Sequence, residues 1–251
     1  MPVELIAIPN LPLVQPGDDL PTLLLVAAST ADIAWQDRDV LVVAQKIVSK
    51  AEGRLVPLAS LTPSPRALAL AALSHKDPRL VELILSESTE VLRVRPGLLV
   101  VEHRLGFVCA NAGVDQSNVA GNDDWALLLP ADPDASARHL RDRVQQATGT
   151  AVAVIVADSH GRAWRFGTVG IAIGVAGLHP LTDLRGQPDL ASRPLQITEV
   201  GTADEIAAAA SLLMGQAAEG TPAVLVRGAP YVPGEGRLAE ILRPRATDLF
   251  R

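Results

Sequence analysis

Short apolar runs alternate along this chain with longer stretches whose apolar positions recur every three or four residues. That is the pattern of strands interleaved with helices, and it predicts a mixed α and β (α+β) fold. Val3 to Ile8 reads as a first strand. The Pro9-Asn10-Leu11-Pro12 segment after it must be irregular, because two prolines withhold backbone donors. Gly17-Asp18-Asp19 marks a helix start, and Asp39 to Ala44 reads as a buried strand. Ser64-Pro65 and Asp77-Pro78 each place a capping side chain before a proline, ahead of helical apolar spacing. The two helices are expected to pair as a hairpin. From Glu90 to Ala110 the pattern turns to strands, interrupted at Arg95-Pro96-Gly97 and Arg104-Leu105-Gly106.

Pro130 to Asp134 opens a helix running to about Thr148, and Ala151 to Ala157 is the clearest buried strand. Asp158-Ser159-His160-Gly161-Arg162 is expected to be the turn that ends it. Glycines at 167, 170, 174 and 177 suit a closely packed strand. Ala203 to Ala217 reads as a helix with Asp204 and Glu205 near its positive end, Ala223 to Arg227 as a last strand, and Pro230 to Gly236 as loop. No repeat or low-complexity linker appears. Residues 1–251 are therefore read as one domain, with a division into two subdomains left open.

A chain of 251 residues, 48% of them hydrophobic, needs no disulfide or metal to fold, since a domain of this size buries about 70–75% of its unfolded surface. With Cys109 as the single cysteine, neither an intramolecular disulfide nor a CxxC pair can form. The formal charge of -6 and the lack of basic runs argue against nucleic-acid or anionic-membrane partners. The start, MPVELIAIPN, has no charged segment followed by an apolar one, and no apolar run approaches the roughly 18 residues a membrane span needs. A reducing, cytoplasmic setting is expected. Nearly all positive charge is arginine: lysine occurs only at Lys46, Lys50 and Lys76, so two of the three share one segment.

Three segments can carry chemistry. Asp158, closing an apolar strand, is held as a metal ligand or catalytic group would be, or it makes an Asx turn or helix cap. Asn111 to Asn118 packs oxygen-bearing side chains around Gly113, as an oxygen-liganded Mg²⁺ or Mn²⁺ site requires and as ordinary polar turns also do. The lysine pair at a strand end can meet a phosphate, whereas lone surface lysines serve solubility. Arg162 and Arg165 can grip a substrate carboxylate or phosphate, or form ordinary salt bridges. His160 could serve in acid-base work, but a lone histidine in a turn is more often solvent-facing. No GxxxxGK[ST] loop, GxGxxG turn, HExxH or GxSxG elbow is present.

Pro16 to Leu20, Ile47 to Arg54, Val108 to Asn118, Asp158 to Gly174, Ala203 to Ala207, Leu213 to Gly215 and Val226 to Gly228, taken in order, resemble the coenzyme F420-0:L-glutamate ligase (F420:gamma-glutamyl ligase) family. The resemblance implies that family's fold, in an intertwined homodimer, and a GTP-dependent reaction. L-Glutamate is attached to F420-0 through an acyl phosphate, giving F420-1 and F420-2 with release of GDP and phosphate. Carried over residue by residue, Asp115, Asp158, Ser159 and Gln216 would hold Mg²⁺ or Mn²⁺, two ions per site, with K⁺ as a further cation. Asp115 and Asp158 would be the catalytic pair. GTP would lie along Pro9, Asn10, Leu11, Pro12, Gln45, Lys46, Lys50, Asn118 and the loop Met214, Gly215, Gln216, Ala217, Ala218, Glu219, Gly220, Thr221. Arg162 and Arg165 would touch the deazaflavin substrate. Archaeal members carry a carboxylate where Gln216 stands. Longer actinobacterial members add a C-terminal flavin-binding domain, which is not expected here, and neither is a flavin prosthetic group. The rival readings are a metal-dependent phosphohydrolase and a non-catalytic nucleotide-binding protein.

Overall fold

A computed structural model describes residues 2–116 and 124–248. In chain order the elements are β1 (Glu4–Ala7), α1 (Leu20–Thr30), β2 (Val40–Ala44), α2 (Gln45–Ala51), β3 (Leu55–Pro57), α3 (Pro65–Ser74), α4 (Pro78–Ser86), β4 (Ser88–Arg95), β5 (Leu98–His103), β6 (Val108–Ala110), β7 (Trp125–Leu127), α5 (Pro133–Thr148), β8 (Ala153–Arg162), β9 (Arg165–Ala176), β10 (Thr182–Asp183), β11 (Glu199–Val200), α6 (Thr202–Met214) and β12 (Ala223–Arg227). The fold is mixed α+β, as the periodicity predicts. The caps act as read: Asp19, Ser64 and Asp77 each accept a backbone N–H at the start of α1, α3 and α4.

A five-stranded sheet in the order β1-β12-β2-β8-β9 forms the centre, with β2 and β8 parallel and the other pairs antiparallel. Successive side chains of a strand point to opposite faces, and both faces are buried. Leu41, Val43, Val154, Val156 and Leu225 enter one core with Leu24, Val48 and Leu140 of α1, α2 and α5. Val40, Val42, Ile155, Val224 and Val226 enter another with Ile206, Ala207 and Ala210 of α6. Burial on both sides explains why these strands read as unbroken apolar runs.

The glycine-spaced strand β9 lets two helices approach closely. A Cβ on Gly170 would lie 2.7 Å from the Ala207 carbonyl oxygen in α6, and one on Gly174 would overlap the backbone of Pro133 at the start of α5. β9 is also an edge. Its Ala172 N–H donates to Asp204 (2.9 Å) and its Val175 N–H to Asp134 (2.8 Å), so two helix-start carboxylates cap donors that an edge would otherwise expose.

The segment Asp158 to Arg162 is strand, not turn. β8 continues to Arg162, pairing with β9 through a register shift between Gly161 and Arg162, and the chain reverses at Ala163-Trp164. The parallel partner β2 stops at Ala44 opposite Ala157, so from Asp158 onward β8 and β9 leave the sheet as a two-stranded ribbon. The predicted helix from Ala203 to Ala217 stops at Met214, because Gly215 takes φ +68°.

A smaller sheet, β4-β5-β6, packs one face on the α3–α4 hairpin, where Leu99 and Val101 meet Ala67, Val81 and Ile84. Its other face looks toward the β8–β9 ribbon. No described helix is long and apolar enough to cross a membrane.

Candidate active site

Chain order in the sheet decides where the site forms. The parallel strands β2 and β8 end side by side at Ala44 and Ala157, so the next residues of each, Gln45-Lys46 and Asp158-Ser159, emerge into one crevice, the usual ligand position in an open sheet. Two cavities meet there. A cleft of about 410 Å³ is lined by Leu11, Pro12, Gln45, Lys46, Lys50 and the loop from Met214 to Thr221. A wider cavity of about 870 Å³, between the β8–β9 ribbon and the small sheet, is lined by Asp115, Cys109, Arg93, Arg95, Arg162, Arg165 and their neighbours. Gln45, Lys46, Asp158, Ser159 and Gln216 line both.

Residues expected from sequence to touch a nucleotide thus converge on the smaller cleft, apart from Pro9 and Asn10, which do not line it. Asn118 lies outside the described residues. Asp115, Asp158, Ser159 and Gln216 come together at the wider cavity, as do Arg162 and Arg165.

Asp115 is fixed by a two-way backbone bridge to Leu127, and Lys46 Nζ lies 2.6 Å from its Oδ2. Lys50, one helical turn beyond Lys46, has its pKa lowered by burial and by the Lys46 charge, with Asp115 partly offsetting both. The loop after α6 curls on itself: Glu219 accepts from the Ala217 N–H at 2.8 Å, and such backbone donors hold its carboxyl below the usual range. Glycine suits position 215 because its φ of +68° is one that L side chains rarely adopt.

Three further polar groups lie near the site. His160 is 8% exposed rather than solvent-facing, and its Nε2 sits 3.0 Å from Asp158 Oδ2 without the alignment of a hydrogen bond. His103 is fully buried, stacked on Phe107, which in turn meets the His160 ring. Burial and the Asp158 charge push the Cys109 thiol up to about 12, which leaves it protonated and inert at neutral pH. Nothing in the uniformly polar run Asp158-Ser159-His160-Gly161-Arg162 marks His160 as inward-pointing.

The oxygen ligands that the wider cavity offers at and beside the neck are two carboxylates, a hydroxyl and an amide carbonyl. This hard oxygen set fits Mg²⁺ or Mn²⁺, which take one or two carboxylates and leave the remaining positions to water and phosphate. Among the described residues no group of three or more His, Cys, Asp or Glu side chains is disposed to hold a metal.

Fold and site together place carboxylates and lysines where two cavities meet, at the strand ends where open sheets bind their ligands. Comparison with known proteins makes the class specific. Residues 9–228 match the F420-0:gamma-glutamyl ligase family. The chain is 49% identical to the coenzyme F420:L-glutamate ligase of Methanothermobacter thermautotrophicus over the full length of both proteins. It is 46% identical to that of Methanopyrus kandleri over 95% of this chain and 93% of the relative, and 45% identical to that of Archaeoglobus fulgidus over 100% and 97%. The chain belongs to the F420-0:gamma-glutamyl ligase family, and it is a ligase that forms a carbon–nitrogen bond.

Proposed function

We propose that the protein joins L-glutamate to coenzyme F420-0 with GTP as co-substrate, giving F420-1 and then F420-2 by a gamma-linked addition, and that it works as a homodimer. The observation that carries this reading is the pair of cavities with a common neck. A nucleotide in the smaller cleft and an acceptor in the wider cavity would bring phosphate and carboxylate together at Lys46, Asp158, Ser159 and Gln216.

In this scheme an acceptor carboxylate oxygen attacks the γ-phosphorus of GTP, the bond to the β-phosphate oxygen breaks, and GDP leaves. The glutamate amine then attacks the acyl phosphate carbon. The carbon–oxygen bond breaks, and inorganic phosphate departs with a proton from the amine. No protein nucleophile is needed, so catalysis rests on positioning and charge. Lys50 holds a nucleotide phosphate, and Lys46, at the neck, faces the group in transit. Gln45 and the Met214–Thr221 loop position the nucleotide, and the apolar wall of Leu11, Pro12 and Ile47 keeps bulk water from the acyl phosphate. Asp115, Asp158, Ser159 and Gln216 would hold a divalent cation, which supplies charge neutralisation on the phosphates; a second ion and K⁺ belong to the same proposal.

The test is an assay of purified protein with F420-0, L-glutamate, GTP and Mg²⁺ or Mn²⁺, with products resolved by mass. GDP release strictly dependent on both F420-0 and glutamate, with a glutamylated product, is expected. GDP release without either acceptor would identify a phosphohydrolase instead, and nucleotide binding without turnover a non-catalytic protein.

A further inference from the structure

The uncovered face of the small sheet carries a second set of positive charge that the sequence reading did not single out. Strand register places Arg93 opposite Val100, with Ala110 next in the row, and Arg95 opposite Leu98. These residues share one face, because Leu99 and Val101, one step out of phase, are buried against α3 and α4. The cavity wall is therefore an apolar surface bordered by two arginines on one strand, two residues and about 7 Å apart. Arg162 and Arg165 stand on the opposite wall, paired across the end of the β8–β9 ribbon.

These arginines differ in their partners from most of the others. Arg54, Arg104, Arg141, Arg185, Arg227 and Arg245 all hold carboxylates. Among the described residues Arg93, Arg95, Arg162 and Arg165 hold none; Arg93 and Arg162 donate only to the carbonyls of Leu92 and Phe166. The acidic pair on the same sheet face, Glu90 and Glu102, is taken by Arg245. Remaining acids of the cavity lie at its neck, Asp115 and Asp158, or in the C-terminal tail, Asp248.

We infer that Arg93 and Arg95 form a subsite for the phosphate group of the acceptor, an organic phosphate whose apolar part lies on Leu98 and Val100 while its reacting carboxylate reaches the neck. This deepens the ligase reading and rests on it. Planar guanidinium forks match a phosphate bidentately, and an apolar floor beside them suits a ring-bearing anion better than it suits glutamate. Both side chains are exposed, so their removal should leave the fold intact.

The experiment compares wild type, Arg93→Ala, Arg95→Ala and the double variant, with thermal melts as the folding control. KM is measured for F420-0, glutamate and GTP, and F420-0 binding is titrated directly in the absence of GTP. Each single variant should raise the acceptor KM roughly tenfold, the loss of one charge-assisted contact, with kcat and the other two KM values within about twofold. An unchanged acceptor KM, or a rise confined to glutamate, would overturn the assignment. If wild type yields no glutamylated product, the ligase reading fails by itself. The titration then decides the subsite: binding weakened in the double variant supports it, and equal binding refutes it.

Discussion

Lys46 Nζ lies 2.6 Å from Asp115 Oδ2, which joins the first turn of α2 to a residue pinned to β7 by two backbone hydrogen bonds. A built-in cation thus sits on one of the two carboxylates at the neck. The pair is partly exposed, so its worth to stability is small; its consequence is for the site.

Asp115→Ala and Asp158→Ala are each expected to lower kcat at least about a hundredfold while the melting temperature stays within a few degrees of wild type, since neither side chain belongs to an apolar core. Equilibrium Mn²⁺ binding should weaken in both. Near-normal ligation in either variant would contradict the role given to that carboxylate.

Lys50→Ala should act mainly on the nucleotide, because Lys50 lines only the smaller cleft. A rise of about tenfold in GTP KM with a small change in kcat is expected. Lys46→Ala, at the neck, should lower kcat as well. Steady-state kinetics with saturating acceptor separates the two, and identical effects would show that the lysines do not divide the work.

Gly170→Ala places a Cβ 2.7 Å from the Ala207 carbonyl oxygen and 2.8 Å from the Ser211 Cβ. α6 must then move off β9, at a cost of about 1–3 kcal/mol. Urea unfolding should show a lower midpoint with the same slope. An unchanged midpoint would mean that the helix has room to give.

Burial of Glu87 would by itself raise its pKa, but the His103 ring N–H 3.6 Å away and the guanidiniums of Arg104 and Arg54 outweigh it, and the carboxyl is held at about 2 against an ordinary 4.5. A folded value below the unfolded one means stability fully present above about pH 4.5 and lost as pH falls through about 2. The contribution is on the order of 3 kcal/mol. Glu87→Gln should be less stable than wild type at pH 7, and the difference should narrow steadily below pH 4.5. A pH-independent difference in urea unfolding would refute this account.

Much of the fold is written locally. Caps at Asp19, Ser64 and Asp77, the breaks around Gly97 and Gly106, and the apolar runs of β2, β8 and β12 depend on residues a few positions apart, and each appears where the pattern puts it. The turn expected at Asp158 to Arg162 failed because polar residues and a glycine look alike in a turn and in a ribbon; the partner strand, β9, decides between them. His160 was misread for the same reason. Its burial comes from Phe107 and Asp158, which the local sequence does not reveal.

By itself, then, the sequence determined the elements, the family and the residue types suited to phosphate and divalent-cation chemistry, because these follow from near neighbours and ordered motifs. Tertiary structure decided which of those residues meet. With β2 placed between β12 and β8, segments near positions 45, 158 and 216 border one crevice, and the bridge to Leu127 brings Asp115 to Lys46. It also decided that Arg93 and Arg95 face a cavity, since the face a strand presents to solvent is fixed by what packs on its other side.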